Sequence, residues 1–305
     1  MVEVAAMADS PLPNTVWEKL ALRAAETANQ TEVGRAAQSA VLRSFSYAWV
    51  RQVIARRMLT AGLDEVIALA PERGVLFVVN HRSFFDLYSI MLAVFMGPTP
   101  WAKWINFPVR SKFFYDHPLG LLVNTLACGG TMYPPIYRQA ERRAENDASL
   151  DRMVDLLRQP GQVIGIHPEG TRSTQDDPYQ LLPAQPGVGK LVLHAHPTVV
   201  PVFVNGLRND FLSEAKYNWH PHARTERPII AVFGKPVDYS AFTAQKPRPT
   251  LYKKCADFLM EEVLRLTPAE QALRAACREG RISDDDPRWL TNRRTVSPLY
   301  ARRGA

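Results

Sequence analysis

The sequence predicts an α/β fold in which a mixed, largely buried sheet is flanked by helices, with a further helical segment at the N-terminus. Four short β-rich runs predict the strands, at residues 75–80, 163–167, 199–205 and 229–233. They alternate with helical patterns at residues 84–96, 139–158, 188–195 and 250–266. This alternation is typical of an α/β domain with buried strands. Residues up to 60 show only helical periodicity after a proline-containing leader, which predicts the separate N-terminal segment.

The chain has 305 residues, of which 46% are hydrophobic, and this is enough for one large domain or two small ones. We predict three parts: an N-terminal helical segment at 1–60, an α/β domain at 61–280, and a basic, irregular tail at 281–305. The tail begins near the acidic run at 284–286, which precedes a proline, and we expect it to lie on the surface.

Composition excludes several classes of protein. The longest uncharged apolar stretch, at residues 87–102, is interrupted by Gly-Pro-Thr-Pro, so it falls short of the ~18–20 apolar residues of a membrane-spanning helix. Cys128, Cys255 and Cys277 lie far apart in sequence, which indicates a reducing compartment and no structural zinc. The first ten residues lack the features of a secretory signal. These features predict a cytoplasmic protein.

A basic amphipathic helix lies near the end of the N-terminal segment. Residues 33–62 contain no acid, and the four arginines Arg43, Arg51, Arg56 and Arg57 accompany apolar residues at helical spacing. Such a helix can lie on an anionic membrane surface. The alternative is a helix whose apolar stripe packs against the rest of the protein. A second acid-free run covers 287–305; because no nucleic-acid-binding motif accompanies either run, we expect no nucleic-acid partner.

The first candidate for chemistry is the segment from Asn80 to Asp86, which follows a predicted strand and precedes a helix. Functional groups gather at the carboxyl ends of strands in open α/β sheets, and His81 occupies such a place. A carboxylate at Asp86 could accept from one imidazole nitrogen and leave the other as a general base. Two alternatives remain: Ser83 and Asp86 have the spacing of a helix-capping pair, and His81 could be an ordinary buried histidine.

The second candidate is the segment from His167 to Ser173, which follows another buried run. Gly170 would let the backbone approach a ligand, and the fork of Arg172 suits phosphate oxygens. Glu169 could orient Arg172 or accept from a substrate hydroxyl. The alternative is a polar turn with a surface arginine.

The two segments, followed by Val200-Pro201-Val202, resemble the glycerolipid acyltransferase family, whose best-known members are the 1-acyl-glycerol-3-phosphate acyltransferases. The His-x4-Asp and Pro-Glu-Gly-Thr-Arg motifs appear in the family's order, and the resemblance covers residues 74–235. It implies an enzyme of phospholipid biosynthesis that moves a fatty acyl group from acyl-CoA or acyl carrier protein to a lysophospholipid hydroxyl. It also implies peripheral association of the N-terminal helices with anionic lipids at the cytoplasmic face of the membrane.

The resemblance assigns a role to each motif residue. His81 is the general base and Asp86 orients it, while the acceptor is bound by Glu169, Gly170, Thr171 and Arg172. Lys103, 22 positions after His81, matches the family's phosphate-binding lysine, and Arg138 is a candidate for the arginine of a second motif. No metal is expected, since none of the seven histidines forms a ligand pair at i, i+4 with a nearby acid, and no cofactor is expected, because the acyl thioester is a co-substrate.

Three differences from the family pattern border the acceptor site. The second motif, Gly130 to Arg138, is two residues longer than usual; His167 replaces a phenylalanine; and the segment before Gly187 lacks a lysine. They leave open a different acceptor, such as glycerol 3-phosphate, a glycolipid or a lipid-linked amine alcohol. A non-catalytic lipid-binding protein is the alternative from another class.

Overall fold

The computed structural model describes residues 16–95, 97, 99–115, 118–137 and 139–293. Strands and helices are named here in chain order. The strands are β1 Met58–Ala61, β2 Val75–Val79, β3 Trp104–Asn106, β4 Val109–Arg110, β5 Pro135–Ile136, β6 Gln162–Ile166, β7 Thr198–Asn205 and β8 Ile229–Phe233. The helices are α1 Val16–Gln30, α2 Glu32–Val41, α3 Tyr47–Ile54, α4 Leu63–Ile67, α5 Asp86–Ile90, α6 Ser111–Phe114, α7 Pro118–Cys128, α8 Arg143–Leu157, α9 Gly187–Ala195, α10 Phe211–Tyr217, α11 Ala223–Glu226, α12 Ser240–Thr243, α13 Pro249–Leu264 and α14 Thr267–Arg278.

The main sheet has the strand order β1-β8-β7-β2-β6-β3. Strands β7, β2, β6 and β3 are parallel to one another, and β8 pairs antiparallel with β7. The predicted mixed sheet flanked by helices is therefore confirmed. The parallel strands β2 and β6 lie side by side at its centre, so the two loops that follow them meet at one edge of the sheet.

Alternation along β2 divides the hydrophobic core into two layers. Val75, Phe77 and Val79 pack on one side, with α5 and the N-terminal helices. Leu76 and Val78 pack on the other side, with α8, α9 and α13. Because successive strand residues point to opposite faces, a continuous apolar run is what a strand covered on both sides requires.

The N-terminal helices are packed into the domain. Thr31 begins α2 by accepting from the Gly34 amide at 3.1 Å, and a π-type turn at Leu42–Ser46 joins α2 to α3. Part of the apolar stripe of the basic helix is buried, with Leu42, Val53 and Ile54 in the core, whereas Phe45 is 59% exposed. The buried part packs against the protein, and association of this segment with a membrane stays a prediction.

Two of the four arginines of the basic helix also point inward. Arg43 donates to the Ala102 carbonyl at 2.8 Å, and the fully buried Arg57 pairs with Glu214. Among the described residues, no helix is both long and apolar enough to cross a bilayer.

The segment after α14 differs from the predicted surface tail. Trp289 is 1% exposed and forms an antiparallel bridge with Leu59 of β1. Its indole donates to the Ser283 carbonyl at 2.9 Å. The segment at 283–290 is thus attached to the packed domain, because Trp289 covers β1, an outer strand of the sheet.

Candidate active site

His81 is held by the end of the central strand. The preceding residue, Asn80, is fully buried, and its side chain donates to the Val204 carbonyl at 2.9 Å and accepts from the Val204 amide at 2.7 Å. This two-point bond to β7 fixes the backbone immediately before the histidine. The His81 side chain is 19% exposed, so one part of the ring remains open to a substrate.

Asp86 combines the two roles that the sequence left open. Its Oδ2 lies 3.4 Å from Nδ1 of His81 and also accepts from the amides of Arg82 and Ser83, both at 2.7 Å. The Ser83 hydroxyl in turn accepts from the Phe85 amide at 3.1 Å, which completes a capping arrangement. One carboxylate therefore closes the turn and faces the imidazole.

Glu169 joins the two motif loops through its carboxylate. Its Oε1 accepts from the His81 amide at 2.6 Å, and its Oε2 accepts from the Leu182 amide at 2.8 Å. The side chain is buried, with 2% of the residue exposed, and burial raises its pKa. With both oxygens bonded to backbone amides, Glu169 acts in the structure as a bridge that positions His81; the predicted contact with the acceptor stays a prediction.

His167 stacks on His81. The ring centroids are 3.8 Å apart with 8° between the planes, and Nδ1 of His167 lies 3.0 Å from the Val79 carbonyl, to which it donates as the protonated nitrogen. The potential ligand atoms of His81, Asp86 and His167 all lie within 4.8 Å of one another, which is close enough for a metal site. The lone pair of an imidazole nitrogen lies in the plane of its ring. Because the two rings are parallel and stacked, their lone pairs do not point at a common position, and in this arrangement the two histidines do not bind one ion together.

Arg172 reaches the same edge of the sheet and is exposed. Its Nη1 donates to the side-chain oxygen of Asn209 at 2.8 Å, and that oxygen also accepts from the Phe84 amide at 2.9 Å. Gly170 has a φ of 66°, which permits the turn that leads to exposed Thr171 and Arg172. Asn209 was not identified from the sequence, because it lies far along the chain in a loop without a motif.

Burial and charge set the protonation states of the pair. Burial and the positive charge of Arg172 lower the pKa of His81 to about 3. Burial raises the pKa of Asp86 to about 6, although nearby cations and amide bonds oppose this. His81 is therefore neutral near pH 7, the state that a general base requires.

One predicted acceptor ligand, Lys103, is not brought into this group. Lys103 is exposed at the start of β3, where its amide donates to the Gly161 carbonyl at 2.8 Å, just before β6 begins. Because β3 runs parallel to β6 and His167 follows the other end of β6, Lys103 lies roughly 15–20 Å from the His81 edge. The sequence spacing thus assigned Lys103 to the wrong end of the sheet. Arg138 lies outside the described residues.

Comparison with known proteins gives one family match. Residues 60–205 match the model of the acyltransferase family, and this segment contains both motifs and the strands that carry them. Over this segment the chain is similar to the acyltransferase family, as the motifs predicted.

Among solved structures, the chain is similar to the 1-acyl-sn-glycerophosphate (LPA) acyltransferase PlsC from Thermotoga maritima, with 14% sequence identity and a TM-score of 0.44. The similarity covers 81% of this chain and 88% of that chain. None of the curated proteins compared with the chain is significantly similar to it.

Proposed function

We propose that this acyltransferase moves a fatty acyl group from the thioester of acyl-CoA or acyl carrier protein to the hydroxyl of 1-acyl-glycerol-3-phosphate or a related lysophospholipid. The observation that carries the proposal is His81, whose Nδ1 lies 3.4 Å from the Asp86 carboxylate, in a turn that Arg172 reaches through their common contact with Asn209. A family domain with a base and a phosphate-matching cation at one sheet edge suits a phosphorylated alcohol as acceptor.

The chemistry requires one proton carrier. Nδ1 of His81 faces Asp86, which leaves Nε2 to accept the hydroxyl proton as the oxygen attacks the thioester carbonyl. A C–O bond forms, the C–S bond breaks when the tetrahedral intermediate collapses, and the imidazolium returns its proton to the thiolate. Asp86 stabilises the imidazolium in the interval, which is the role of an orienting carboxylate.

The turn itself does not supply the oxyanion donors. The amides of His81, Arg82 and Ser83 donate to carboxylates, and that of Phe84 donates to Asn209. Stabilisation of the tetrahedral oxygen therefore falls to groups of the 169–172 loop, where Arg172 carries a fixed positive charge.

The acceptor would also tune the base. The charge of Arg172 lowers the pKa of His81 in the free protein. A phosphate dianion paired with Arg172 would offset that charge and make His81 a stronger base once the acceptor is bound. A phosphorylated acceptor is favoured over a neutral glycolipid for this reason, while glycerol 3-phosphate and a lipid-linked amine alcohol remain alternative acceptors.

The experiment is to incubate the purified protein with palmitoyl-CoA and a panel of lysolipids, and to identify the products by mass. We expect acyl transfer to lysophosphatidic acid, and His81→Ala should reduce the rate by ~10²–10⁴-fold with an unchanged melting curve. Acyl-acyl carrier protein as donor gives the second arm. Product formation by His81→Ala at the wild-type rate would contradict the assignment of the base, and no product with any acceptor would favour a lipid-binding protein.

We further propose that the enzyme works as a peripheral protein at the cytoplasmic face of the membrane. Both substrates of the reaction carry long acyl chains, which places them at or in a bilayer. Sedimentation of the purified protein with vesicles tests this proposal.

A further inference from the structure

Helix α7 exposes three large apolar side chains and buries an asparagine. Leu122, Val123 and Leu126 are 51%, 50% and 49% exposed, whereas Asn124 is fully buried. The Asn124 side chain accepts from the Met132 amide at 3.2 Å, so its polar atoms serve the interior. A surface helix ordinarily buries its apolar residues and exposes its polar ones. This arrangement points to an apolar environment outside α7.

A neighbouring element extends the apolar surface. Phe45, in the π-type turn between α2 and α3, is 59% exposed. The next residue, Ser46, is buried and donates through its hydroxyl to the Leu126 carbonyl at 3.5 Å, so the turn and α7 are in contact. We call Phe45, Leu122, Val123 and Leu126 the lipid face. Residues 118–137 contain no Asp, Glu, Lys, Arg or His, so contact of this segment with an apolar phase would not require the burial of a charge from these residues.

An aromatic path links the lipid face to the catalytic turn. On α7, Cys128 lies 2.9 Å from the hydroxyl of Tyr88. The Tyr88 ring packs against Trp49 with centroids 5.4 Å apart, and against Phe85 at 5.8 Å. Phe85 and its neighbour Phe84 belong to the turn that holds His81. Contacts between side chains in the interior therefore connect α7 with the turn that holds His81.

Helix α10 adds basic residues beside further exposed apolar ones. Phe211 and Leu212 are 39% and 76% exposed, and the Phe211 ring lies 5.7 Å from that of Trp49. Arg208 and Lys216, just before and near the end of this helix, are exposed. Apolar side chains flanked by cations suit a bilayer whose headgroups are anionic.

We propose that the lipid face inserts into the apolar boundary of a phospholipid bilayer and presents the catalytic turn to acceptors within it. This inference rests on the proposed function, because it names the surface through which that site meets its lipid substrates. It places the contact on α7 and on Phe45, the exposed member of the apolar stripe of the basic helix, and not on the buried residues Leu42, Val53 and Ile54.

The test is sedimentation of the full chain with mixed phosphatidylcholine and phosphatidylglycerol vesicles. The triple variant Leu122→Asn, Val123→Asn, Leu126→Asn should bind at least about tenfold more weakly than the wild type, because three inserting side chains become polar. Phe45→Ser, on a separate element, should weaken binding in the same direction. Raised salt should weaken wild-type binding only in part, since the apolar contribution is not screened.

Two control variants use exposed apolar residues elsewhere. Leu264→Asn changes a residue on α13, on the other side of the sheet, that is 43% exposed, and it should bind as the wild type does. Leu20→Asn with Val33→Asn changes α1 and α2, where the two residues are 53% and 82% exposed, and it should also retain binding. Loss of binding in this pair with full binding in the α7 variant would overturn the proposal.

Further measurements separate the remaining outcomes. Each variant should keep the wild-type melting temperature, because the substituted side chains are exposed. If the α7 triple variant has a lower melting temperature than the wild type, the vesicle binding of Phe45→Ser is the result that tests the proposal. A wild-type dimer that becomes monomeric in the α7 variant, with vesicle binding unchanged, would make this face a contact between copies and overturn the proposal.

An activity assay separates this proposal from the proposed function. With a short-chain, monomeric donor and acceptor, the α7 triple variant should transfer acyl groups at the wild-type rate. With an acceptor carried in vesicles, its rate should be at least about tenfold lower than that of the wild type. If the wild type transfers no acyl group at all, the proposed function fails, and the sedimentation result still decides the role of the lipid face. Equal vesicle binding by the wild type, the α7 triple variant and Phe45→Ser would refute the proposed insertion of the lipid face.

Discussion

The rings of His81 and His167 lie parallel at a centroid distance of 3.8 Å, and Nδ1 of His167 is anchored on the Val79 carbonyl. His167 thus provides a fixed plane against which the imidazole of His81, the proposed base, packs. Since the ring orientation of a base determines which lone pair meets the substrate, we expect this stack to position His81.

Substitution of His167 tests the stack. His167→Phe should keep the packing surface and retain activity within a few-fold, with a loss of stability of about 1 kcal/mol from the missing hydrogen bond. His167→Ala should lower kcat more than it raises the acceptor KM, because His81 loses its support. Steady-state kinetics with denaturant unfolding of both variants checks this; equal kcat in the alanine variant and the wild type would leave the stack without a catalytic role.

Asp86 can be tested for its two roles separately. Asp86→Asn leaves an oxygen that accepts from the amides of Arg82 and Ser83 but removes the charge opposite His81. We expect nearly wild-type stability and a fall in kcat of ~10²-fold or more. Asp86→Ala should also lose about 1–3 kcal/mol of stability, since two buried amides lose their acceptor. If the asparagine variant were fully active, Asp86 would be a capping residue only.

Arg172 should affect the acid limb of the pH profile. Burial lowers the pKa of His81, and the positive charge of Arg172 lowers it further because it disfavours the imidazolium. Arg172→Gln removes that charge, which raises the pKa of His81 and moves the acid limb of kcat/KM to higher pH. The measurement is kcat/KM against pH with a short-chain, soluble acceptor. A shift to lower pH would contradict this electrostatic relationship.

Lys103 and Arg172 should differ in their effect on the acceptor. Arg172→Lys keeps the charge but loses the paired donors that fit a phosphate, so we expect a raised acceptor KM and a nearly unchanged donor KM. Lys103→Ala should leave the acceptor KM within twofold, because Lys103 lies at the other end of the sheet. A donor KM raised by Arg172→Lys would instead indicate that the loop binds phosphates of coenzyme A.

The sequence predicted the central strands and both motifs well, because each depends on a local pattern. The run 229–233 coincides with β8, and the helix predicted at 188–195 is α9 with one residue added. Strands β1 and β3 were missed; they are short and lie at the two edges of the sheet, where three or four residues give little periodicity.

The sequence predicted which motif residues lie together but not how they are connected. His81, Asp86 and Arg172 are found together, as the motif order implied. The bond from Arg172 to Asn209 joins residues 37 positions apart, and no local pattern could reveal it. The prediction for Lys103 was wrong for the opposite reason. Its spacing from His81 along the chain suggested that the two residues are close, but the direction of β3 places Lys103 at the other end of the sheet.

The contact between Leu59 and Trp289 has a consequence for how the chain must be handled. β1 is an outer strand, and its backbone is engaged by the Thr60 amide donating to the Arg288 carbonyl at 2.9 Å and the Leu290 amide donating to the Met58 carbonyl at 2.8 Å. An uncovered outer strand is a template for pairing with another chain. A shortened protein ending near residue 280 would expose this edge, and we expect it to aggregate even though every motif residue is retained.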